Sequence, residues 1–238
     1  MTLHLGVTHH EGRTFDWNPN HDPESRNYGV RRLVEAAPTK AVWWSGGPVT
    51  DQGAEGACVG HAAVGEFLAS PVRGKLPTVN RVEAANALAL AVYQRAKLLD
   101  PWPGVDYDGT AVNAGMKVGR ERGWWGGYSW AFSIEDVKRA LLLGPVILGV
   151  PWYEGSYETR GRYSELVTDG ELVGGHTILC TGWTPSYGNL GETFRLRNSW
   201  GATFGRNGNC YVRARTLAGL LEQDGEAAVP TARALGGA

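Results

Sequence analysis

The residues with the clearest potential for chemistry lie in a glycine-rich stretch that ends in a cysteine. Residues 51–58 read Asp-Gln-Gly-Ala-Glu-Gly-Ala-Cys, and they deliver one thiol to the start of an apolar segment at 59–69. A thiol is a good nucleophile only as the thiolate, and the partial positive charge of a helix N-terminus favours that form. Taken alone, a free cysteine is more often a small buried hydrophobe. Cys58 therefore needs a base and a group that orients the base.

Two later motifs offer these groups. Two glycines precede His176, which stands at the start of an apolar strand, and Asn198 lies within an Arg-Asn-Ser-Trp-Gly sequence at 197–201. A side-chain amide can hydrogen-bond an imidazole and fix its orientation. Singly, such residues are more often a half-buried structural histidine and a turn asparagine. Together they favour a nucleophile, a base and an orienting group. His61, one helical turn from Cys58, has no evident third group to orient it, so we favour His176 as the base.

The composition restricts the classes of function. The chain has 238 residues, a net charge of −1, 42% hydrophobic and 20% charged residues, so it carries no global field for nucleic acid or an anionic membrane. No 18-residue apolar run could span a bilayer, and the first twenty residues lack the apolar core of a signal peptide. We therefore expect a cytoplasmic protein. Its oligomeric state has no signature in the sequence.

The three cysteines do not form a metal or disulfide pattern. They are odd in number and widely spaced, and nothing in the sequence requires a metal or an organic cofactor. Cys180 and Cys210 lie in the first and third of three expected strands. If the strands form a meander, these two cysteines are about twice the strand spacing of 4.7–4.9 Å apart, beyond the roughly 7 Å limit for a disulfide. We therefore predict that both are free thiols.

Periodicity and turn residues predict a helical first part and a β-rich second part, hence an α+β fold. Residues 1–36 are polar and read as an extended arm, and the body begins at residue 37. Helices are predicted over 57–69, 81–99, 110–121 with Thr110 as the cap, and 134–143 after Ser133. Residues 124–127 predict a bulky turn. Strands are predicted over 146–150, 177–183, 193–196 and 209–212, with a polar loop over 152–173.

The sequence resembles the papain-like cysteine peptidases. The motifs that carry the resemblance are Gln-Gly at 52–53 with Gly-Ala-Cys at 56–58, Gly-His at 175–176, and Asn-Ser-Trp-Gly at 198–201. Residues 38–44, 144–146 and 205–208 also match the family, and the similarity runs from about residue 37 to residue 230. The family members with a short N-terminal arm, of bacterial or phage type, are the most similar.

The resemblance implies a two-lobed fold and a domain order. The arm, residues 1–36, would precede a peptidase domain at 37–238. Its helical lobe would span about residues 50–130, and its antiparallel, β-barrel-like lobe about residues 131–230. The active site would lie in the cleft between the lobes, where substrates usually bind.

The resemblance also implies a mechanism. A Cys58 thiolate paired with protonated His176 would attack the carbonyl of a peptide or protein substrate and form an acyl-enzyme. Asn198 would orient the imidazole, and Trp200 would shield their hydrogen bond from water. Gln52 and the Cys58 backbone N–H would stabilise the oxyanion. Three further residues align with the family's main specificity pocket: Gly109, Gly149 and Thr177.

Two departures from the family pattern leave alternatives open. Glu55 stands where the family commonly has a disulfide cysteine, and Val59 where it has tryptophan. The chain could be a catalytically silent peptide-binding module of the same fold, or an acyl transferase that uses the same residues. The arm could be structural, or it could lie in the cleft as an inhibitor, with residues 26–33 as the candidate segment.

Overall fold

The computed structural model describes residues 8–10, 13–15, 17–74, 76 and 81–233. Over these residues the α-helices are α1 (Cys58–Leu68), α2 (Arg81–Lys97), α3 (Val112–Glu121), α4 (Ile134–Leu141) and α5 (Ala214–Glu222). The strands are β1 (Thr8–His10), β2 (Arg13–Phe15), β3 (Val42–Trp43), β4 (Trp125–Trp130), β5 (Val146–Tyr153), β6 (Leu172–Thr184), β7 (Thr193–Arg197), β8 (Asn209–Arg213) and β9 (Glu226–Arg233).

Helix α1 is buried on nearly all sides, as its apolar sequence predicts. It packs against α2 and against β6. Gly60 allows the close approach of α2, because a Cβ atom at this position would lie 2.2 Å from the carbonyl oxygen of Ala89. Near the C-terminal end of α1, the buried carboxylate of Glu66 forms an ion pair with Arg233 of β9, which links this helix to the sheet.

Seven strands form one antiparallel sheet, in the order β4-β9-β5-β6-β7-β8, with β3 paired to β6. Side chains alternate between the two faces of β6. Ile178 and Cys180 join a core with α4 and α5, while Leu179 joins the core around α1, α2 and α3. His176 therefore lies on the same face of β6 as Ile178, and Thr177 lies on the same face as Leu179. The mixture of helices and an antiparallel sheet confirms the predicted α+β class.

Four helices and four strands lie where the sequence predicts them, with boundaries that differ by a few residues. The predicted turn at 124–127 is wrong, because most of this segment belongs to β4. Its tryptophans are buried, and β4 pairs over five residue pairs with β9. The helix expected from Thr110 begins at Val112, after Ala111 as the N-cap residue. The Thr110 hydroxyl instead donates to Asp100 at 2.7 Å.

Helix α5 and strand β9 were not predicted from the sequence. Strand β9 reads Glu-Ala-Ala-Val-Pro-Thr-Ala-Arg, and both its alanines and its proline argue against a strand. It nevertheless inserts between β4 and β5. Pro230 is tolerated because β5 pairs with β9 only from Glu226 to Ala228. Pro230 therefore has a partner strand on the β4 side alone.

The predicted free thiols are confirmed. Cys180 of β6 and Cys210 of β8 both face Leu196 of β7, one from each side, and β7 separates them. Both cysteines are buried and unbridged. Burial raises the pKa of the Cys180 thiol to about 12 and that of Cys210 still further, so neither is expected to react.

The described part of the arm lies against the body. The backbone N–H of Trp130 donates to Tyr28, and Arg31 forms a salt bridge with Asp136 at the start of α4. Within the described residues, no helix combines the length and apolarity required to cross a membrane.

Candidate active site

Cys58 is the first residue of α1, and the turn before it folds around Gln52. Gly53 has a φ of +59°, a conformation that glycine adopts without strain. The backbone N–H of Glu55 donates to the Gln52 carbonyl at 3.2 Å, which closes the turn. Cys58 is the first residue of the helix, where the backbone N–H groups have no intrahelical acceptor, and a helix start is an environment that favours a thiolate. Glu55, the departure from the family pattern, is exposed to solvent.

His176 and Asn198 are brought together by the pairing of β6 with β7. The imidazole Nε2 and the Asn198 Oδ1 atom are 2.8 Å apart, and both side chains are buried. The backbone N–H of Ser199 also donates to this oxygen, at 2.8 Å. An amide oxygen can only accept, so Nε2 carries the proton. The other ring nitrogen, Nδ1, is left to accept a proton when the imidazole is neutral.

Aromatic side chains enclose the imidazole. The ring centroids of Trp152 and His176 are 4.6 Å apart, and those of Trp200 and His176 are 5.2 Å apart. Tyr157 and Phe204 pack in turn on Trp200. Water is therefore excluded around the bond between His176 and Asn198, which strengthens this bond by lowering the local dielectric constant. Trp200 was predicted for this position, whereas Trp152 carried no motif that would single it out.

The turn before Cys58 is hydrogen-bonded to the segment after β7. The backbone N–H of Gln52 donates to the Ser199 carbonyl at 2.8 Å, and that of Gly201 donates to Thr50 at 3.0 Å. The Ser199 hydroxyl donates to Gln52 Oε1 at 2.7 Å, and Gln52 Nε2 donates to the Glu55 carbonyl at 2.9 Å. The Ser199 hydroxyl thereby fixes which end of the Gln52 amide carries its N–H donors.

The arm contacts the segments that carry the candidate catalytic residues. Gln52 Nε2 makes a long contact of 3.5 Å with the carbonyl oxygen of Thr14, and the backbone N–H of Trp17 donates to the Gly175 carbonyl at 2.9 Å. The Thr14 hydroxyl donates to the Ala54 carbonyl. The solvent-exposed fraction of both Cys58 and His176 is 0% in the folded chain.

The covering segment differs from the one that the sequence suggested. Residues 26–33 pack against β4 and α4, where Arg26 lies over the rings of Trp130 and Phe132. Among the described residues of the arm, Thr14 contacts Gln52 and Ala54, and Trp17 contacts Gly175. Trp17 was not predicted because it lies in a polar segment without periodicity.

The Trp17 side chain fills a pocket beside the candidate catalytic residues. Its indole Nε1 donates to Glu226 Oε2 at 3.1 Å, and the exposed fraction of each residue is 1%. Gly149 forms one wall, since a Cβ atom there would lie 2.3 Å from Nε1. The backbones of Trp17 and Thr110 form an isolated parallel β-bridge, so Thr110 lies on another side of the pocket.

The three residues expected to line the specificity pocket are all buried. Gly149 contacts the indole directly, as described above. Gly109 precedes Thr110 and donates its N–H to the hydroxyl of Tyr93 at 3.0 Å. Thr177 faces Gly149 across the pairing of β5 with β6, and it lines a small cavity of about 10 Å³ that His61 and Asn198 also line.

His61 remains an unfavourable candidate for the base. Burial lowers its pKa to about 4, with only partial opposition from Asp51, so the imidazole is neutral at physiological pH. The described residues contain no group of three or more His, Cys, Asp or Glu side chains that could hold a metal ion.

Glu226 is a carboxyl group inside an apolar environment. Burial raises its pKa to about 8, although the indole hydrogen bond from Trp17 and the charge of Arg26 oppose this shift. His21 Nδ1 lies 3.6 Å from its Oε1 atom, and Asp224 lies 3.9 Å from the other ring nitrogen of His21. Trp17, His21 and Arg26 belong to the arm, whereas Asp224 does not.

Comparison with solved structures identifies the fold. Xylellain, a cysteine protease from Xylella fastidiosa, superposes with a TM-score of 0.68 at 18% sequence identity, covering 97% of this chain and 98% of that chain. Digestive procathepsin L 3 from the larval midgut of Tenebrio molitor gives a TM-score of 0.57 at 16% identity, with coverages of 87% and 75%. No family model and no curated protein sequence matches the chain. The chain has the fold of the papain-like cysteine peptidases.

The raised pKa of Glu226 predicts a pH-dependent stability. The neutral carboxyl is the form that the fold favours, so its contribution to the free energy of unfolding is complete below the ordinary glutamate pKa of 4.5 and is lost as the pH rises to about 8. Each pH unit between these values costs about 1.4 kcal/mol at most. Urea unfolding at pH 5 and pH 8 should show a loss of a few kcal/mol that Glu226→Gln reduces. His21, whose pKa burial lowers, acts in the opposite direction in both proteins. Identical pH profiles for the two proteins would contradict this prediction.

Proposed function

We propose that this protein is a cysteine peptidase that hydrolyses peptide bonds in peptide or protein substrates, with Cys58 as its nucleophile. The observation that carries the proposal is the buried hydrogen bond of 2.8 Å between His176 and Asn198. It lies in the same constellation as Gln52 and the start of α1. In this proposal residues 1–36 form an arm, and the peptidase domain spans residues 37–238.

The first step is the activation of the thiol. Because the Asn198 oxygen holds the proton on Nε2 of His176, Nδ1 is the ring nitrogen that receives the Cys58 proton. The resulting imidazolium stabilises the thiolate by charge, and the helix N-terminus adds to this effect. Asn198 keeps the ring in place through the cycle, and Trp152 and Trp200 restrict its movement by packing.

The second step is acyl transfer to the enzyme. The thiolate attacks the peptide carbonyl carbon and forms a C–S bond, and the carbonyl oxygen becomes an oxyanion. The Gln52 amide and the Cys58 backbone N–H donate hydrogen bonds to it. As the tetrahedral species collapses, the C–N bond breaks and His176 gives its proton to the leaving amine. The product is a thioester on Cys58.

The third step regenerates the enzyme. Neutral His176 takes a proton from a water molecule, which attacks the thioester carbonyl. The C–S bond breaks, the acid product leaves, and the thiolate re-forms beside the imidazolium. Attack by an amine in place of water would make the same residues an acyl transferase, so product analysis has to accompany any assay of turnover.

The alkylation of Cys58 tests the proposed ion pair. Iodoacetamide should react with a His176-paired thiolate at pH 5 to 6, well below the reference thiol pKa of about 8.5. His176→Ala should shift the reactivity to above pH 8. All three cysteines are buried in the folded chain, so the pH dependence of the labelling rate is compared and not its magnitude. Peptide mapping by mass spectrometry distinguishes a label on Cys58 from one on Cys180 or Cys210. Equal pH profiles for the wild type and His176→Ala would count against the ion pair and in favour of a binding module.

The contact of Ser199 with Gln52 gives a second prediction. Removing an oxyanion donor typically lowers kcat by about 10²–10³. Ser199→Ala leaves Gln52 in place but removes one of the two hydrogen bonds that orient its amide, the other being the bond from Nε2 to the Glu55 carbonyl. We therefore expect a smaller fall in kcat, about tenfold, with KM nearly unchanged. Ser199→Thr, which keeps the hydroxyl, should restore most of the rate. A general loss of stability without this separation of kcat from KM would show that Ser199 is only structural.

A further inference from the structure

A small cavity lies between α1, β6 and the segment that carries Asn198. Its volume is about 10 Å³, and the residues that line it include His61, Thr177 and Asn198. Resting on the peptidase function proposed above, we propose that this cavity binds one water molecule that hydrogen-bonds all three side chains. His61 is thereby a positioning residue: through the water it holds Asn198, which orients the His176 imidazole.

Each of the three side chains has a buried polar atom that needs a partner. Nδ1 of His61, Oγ1 of Thr177 and Nδ2 of Asn198 have no hydrogen-bond partner among the described residues. The exposed fractions of the three residues are 4%, 1% and 2%. Buried polar atoms that lack a protein partner are generally satisfied by ordered water, and a buried water makes two to four hydrogen bonds. Three such atoms around one cavity supply that number.

The hydrogen bonds of Asn198 fix the direction of its NH₂ group. Its Oδ1 atom accepts from the backbone N–H of Ser199 and from Nε2 of His176, both at 2.8 Å. Rotation of the amide by 180° would place Nδ2 against the Ser199 N–H, a donor against a donor. Nδ2 is therefore directed away from both groups. A partner that accepts from Nδ2 holds Oδ1 on the imidazole.

The size and the polar groups of the cavity favour water over an ion. A volume of about 10 Å³ is at the lower limit for one water molecule, so a phosphate or a carboxylate is too large. Nδ2 of Asn198 only donates, so it cannot be a ligand of a metal cation. A water molecule accepts from Nδ2 and donates to Nδ1 of a neutral His61, with the Thr177 hydroxyl as its third partner.

The water connects the three segments that carry the candidate catalytic residues. His61 lies one turn after Cys58 on α1, and Thr177 follows His176 on β6. Asn198 itself follows β7. A movement of α1 relative to the sheet therefore breaks hydrogen bonds of the water, in addition to those between residues 50–52 and 199–201.

His61 stays neutral over the pH range of the tests below. The charged groups that face it are Arg197, which also lines the cavity, and Asp51, whose charge raises the pKa of His61. Burial outweighs that charge and lowers the pKa of His61 to about 4, so the imidazole is neutral from pH 5 to pH 9. A change in pH profile over this range reports on Cys58 and His176.

The first experiment compares His61→Leu with His61→Asn. The two new side chains have the same shape, but Asn alone keeps a polar atom near the position of Nδ1. We expect His61→Leu to lower kcat for peptide hydrolysis by about five- to tenfold, the factor that corresponds to one lost hydrogen bond, with KM nearly unchanged. His61→Asn should keep most of the rate. Equal kcat values in the two folded variants would overturn the role of His61.

The same pair is compared without turnover, by the alkylation of Cys58. The ratio of the rate at pH 5.5 to the rate at pH 9 measures how well His176 stabilises the thiolate, because an unassisted thiol is largely ionised at pH 9. A looser Asn198 stabilises the imidazolium less, so the ratio should fall about fivefold in His61→Leu and stay unchanged in His61→Asn. Structural damage changes both rates together. An unchanged ratio in His61→Leu would contradict the positioning role.

A cavity-filling variant covers the case in which His61→Leu does not fold. Gly65 lines the cavity, and among the described residues outside its own helix a Cβ atom there would meet Leu179, 3.3 Å from Cδ2. Gly65→Ala keeps every polar group and raises the helix propensity, but its methyl group takes the space of the water. We expect the same fall in the alkylation ratio, without a loss of thermal stability.

Gly219→Ala is the matched control for Gly65→Ala. Gly219 lies on α5, and a Cβ atom there has no described neighbour within 4 Å. It should leave the ratio at the wild-type value. A wild-type ratio in Gly65→Ala as well would exclude a bound water that positions Asn198.

A high-resolution crystal structure tests the site directly. We expect electron density for one water molecule within hydrogen-bonding distance of His61 Nδ1, Thr177 Oγ1 and Asn198 Nδ2, and none in Gly65→Ala. A cavity without density in the wild type would refute the proposal.

The readouts separate this inference from the peptidase function. A ratio that falls in His61→Leu, in a protein that hydrolyses no peptide, would refute the peptidase function and support the positioning role. Hydrolysis with the same kcat in the wild type, His61→Leu and His61→Asn would support the peptidase function and overturn the positioning role.

Discussion

The candidate site depends on one pairing of backbone segments, between residues 50–52 and residues 199–201. Two hydrogen bonds of 2.8 and 3.0 Å join the turn before Cys58 to the residues that follow Asn198. The Ser199 hydroxyl adds a third link, to the Gln52 side chain. These contacts connect the helical part of the chain to the sheet at the point where chemistry is proposed. A nucleophile and its base must be held to within a fraction of an ångström, and side-chain packing alone would allow more movement.

Strand β6 positions both the His176 imidazole and a wall of the Trp17 pocket, because its side chains alternate between the two faces of the sheet. His176 lies on the face with Trp152 and Trp200, which exclude water from its bond to Asn198. Thr177 lies on the opposite face and pairs with Gly149, the wall of the Trp17 pocket. The imidazole and the pocket are therefore set by the same register of β5 on β6, and a shift by one residue would exchange the two faces.

The sequence predicts the parts of the site that reside in contiguous motifs. Each of Cys58, His176 and Asn198 lies in a short contiguous motif that contains glycine, and the structure brings His176 and Asn198 into contact. Trp17 and Glu226 have no such flanking signal. Glu226 begins a strand whose alanines and proline disfavour strand structure, and its burial follows only from the insertion of β9 between β4 and β5. Tertiary context there overrides local propensity, so neither the strand nor the pocket base could be predicted.

The most direct test of the central claim is the detection of an acyl group on Cys58. The protein is mixed with an activated peptide ester, quenched in acid within the first turnover, and analysed by intact and peptide mass spectrometry. The account predicts one acyl group per chain on Cys58, bound as a thioester that hydroxylamine removes, and greatly reduced in His176→Ala. Binding of the ester without any adduct on Cys58, or an adduct of equal yield in His176→Ala, would contradict it.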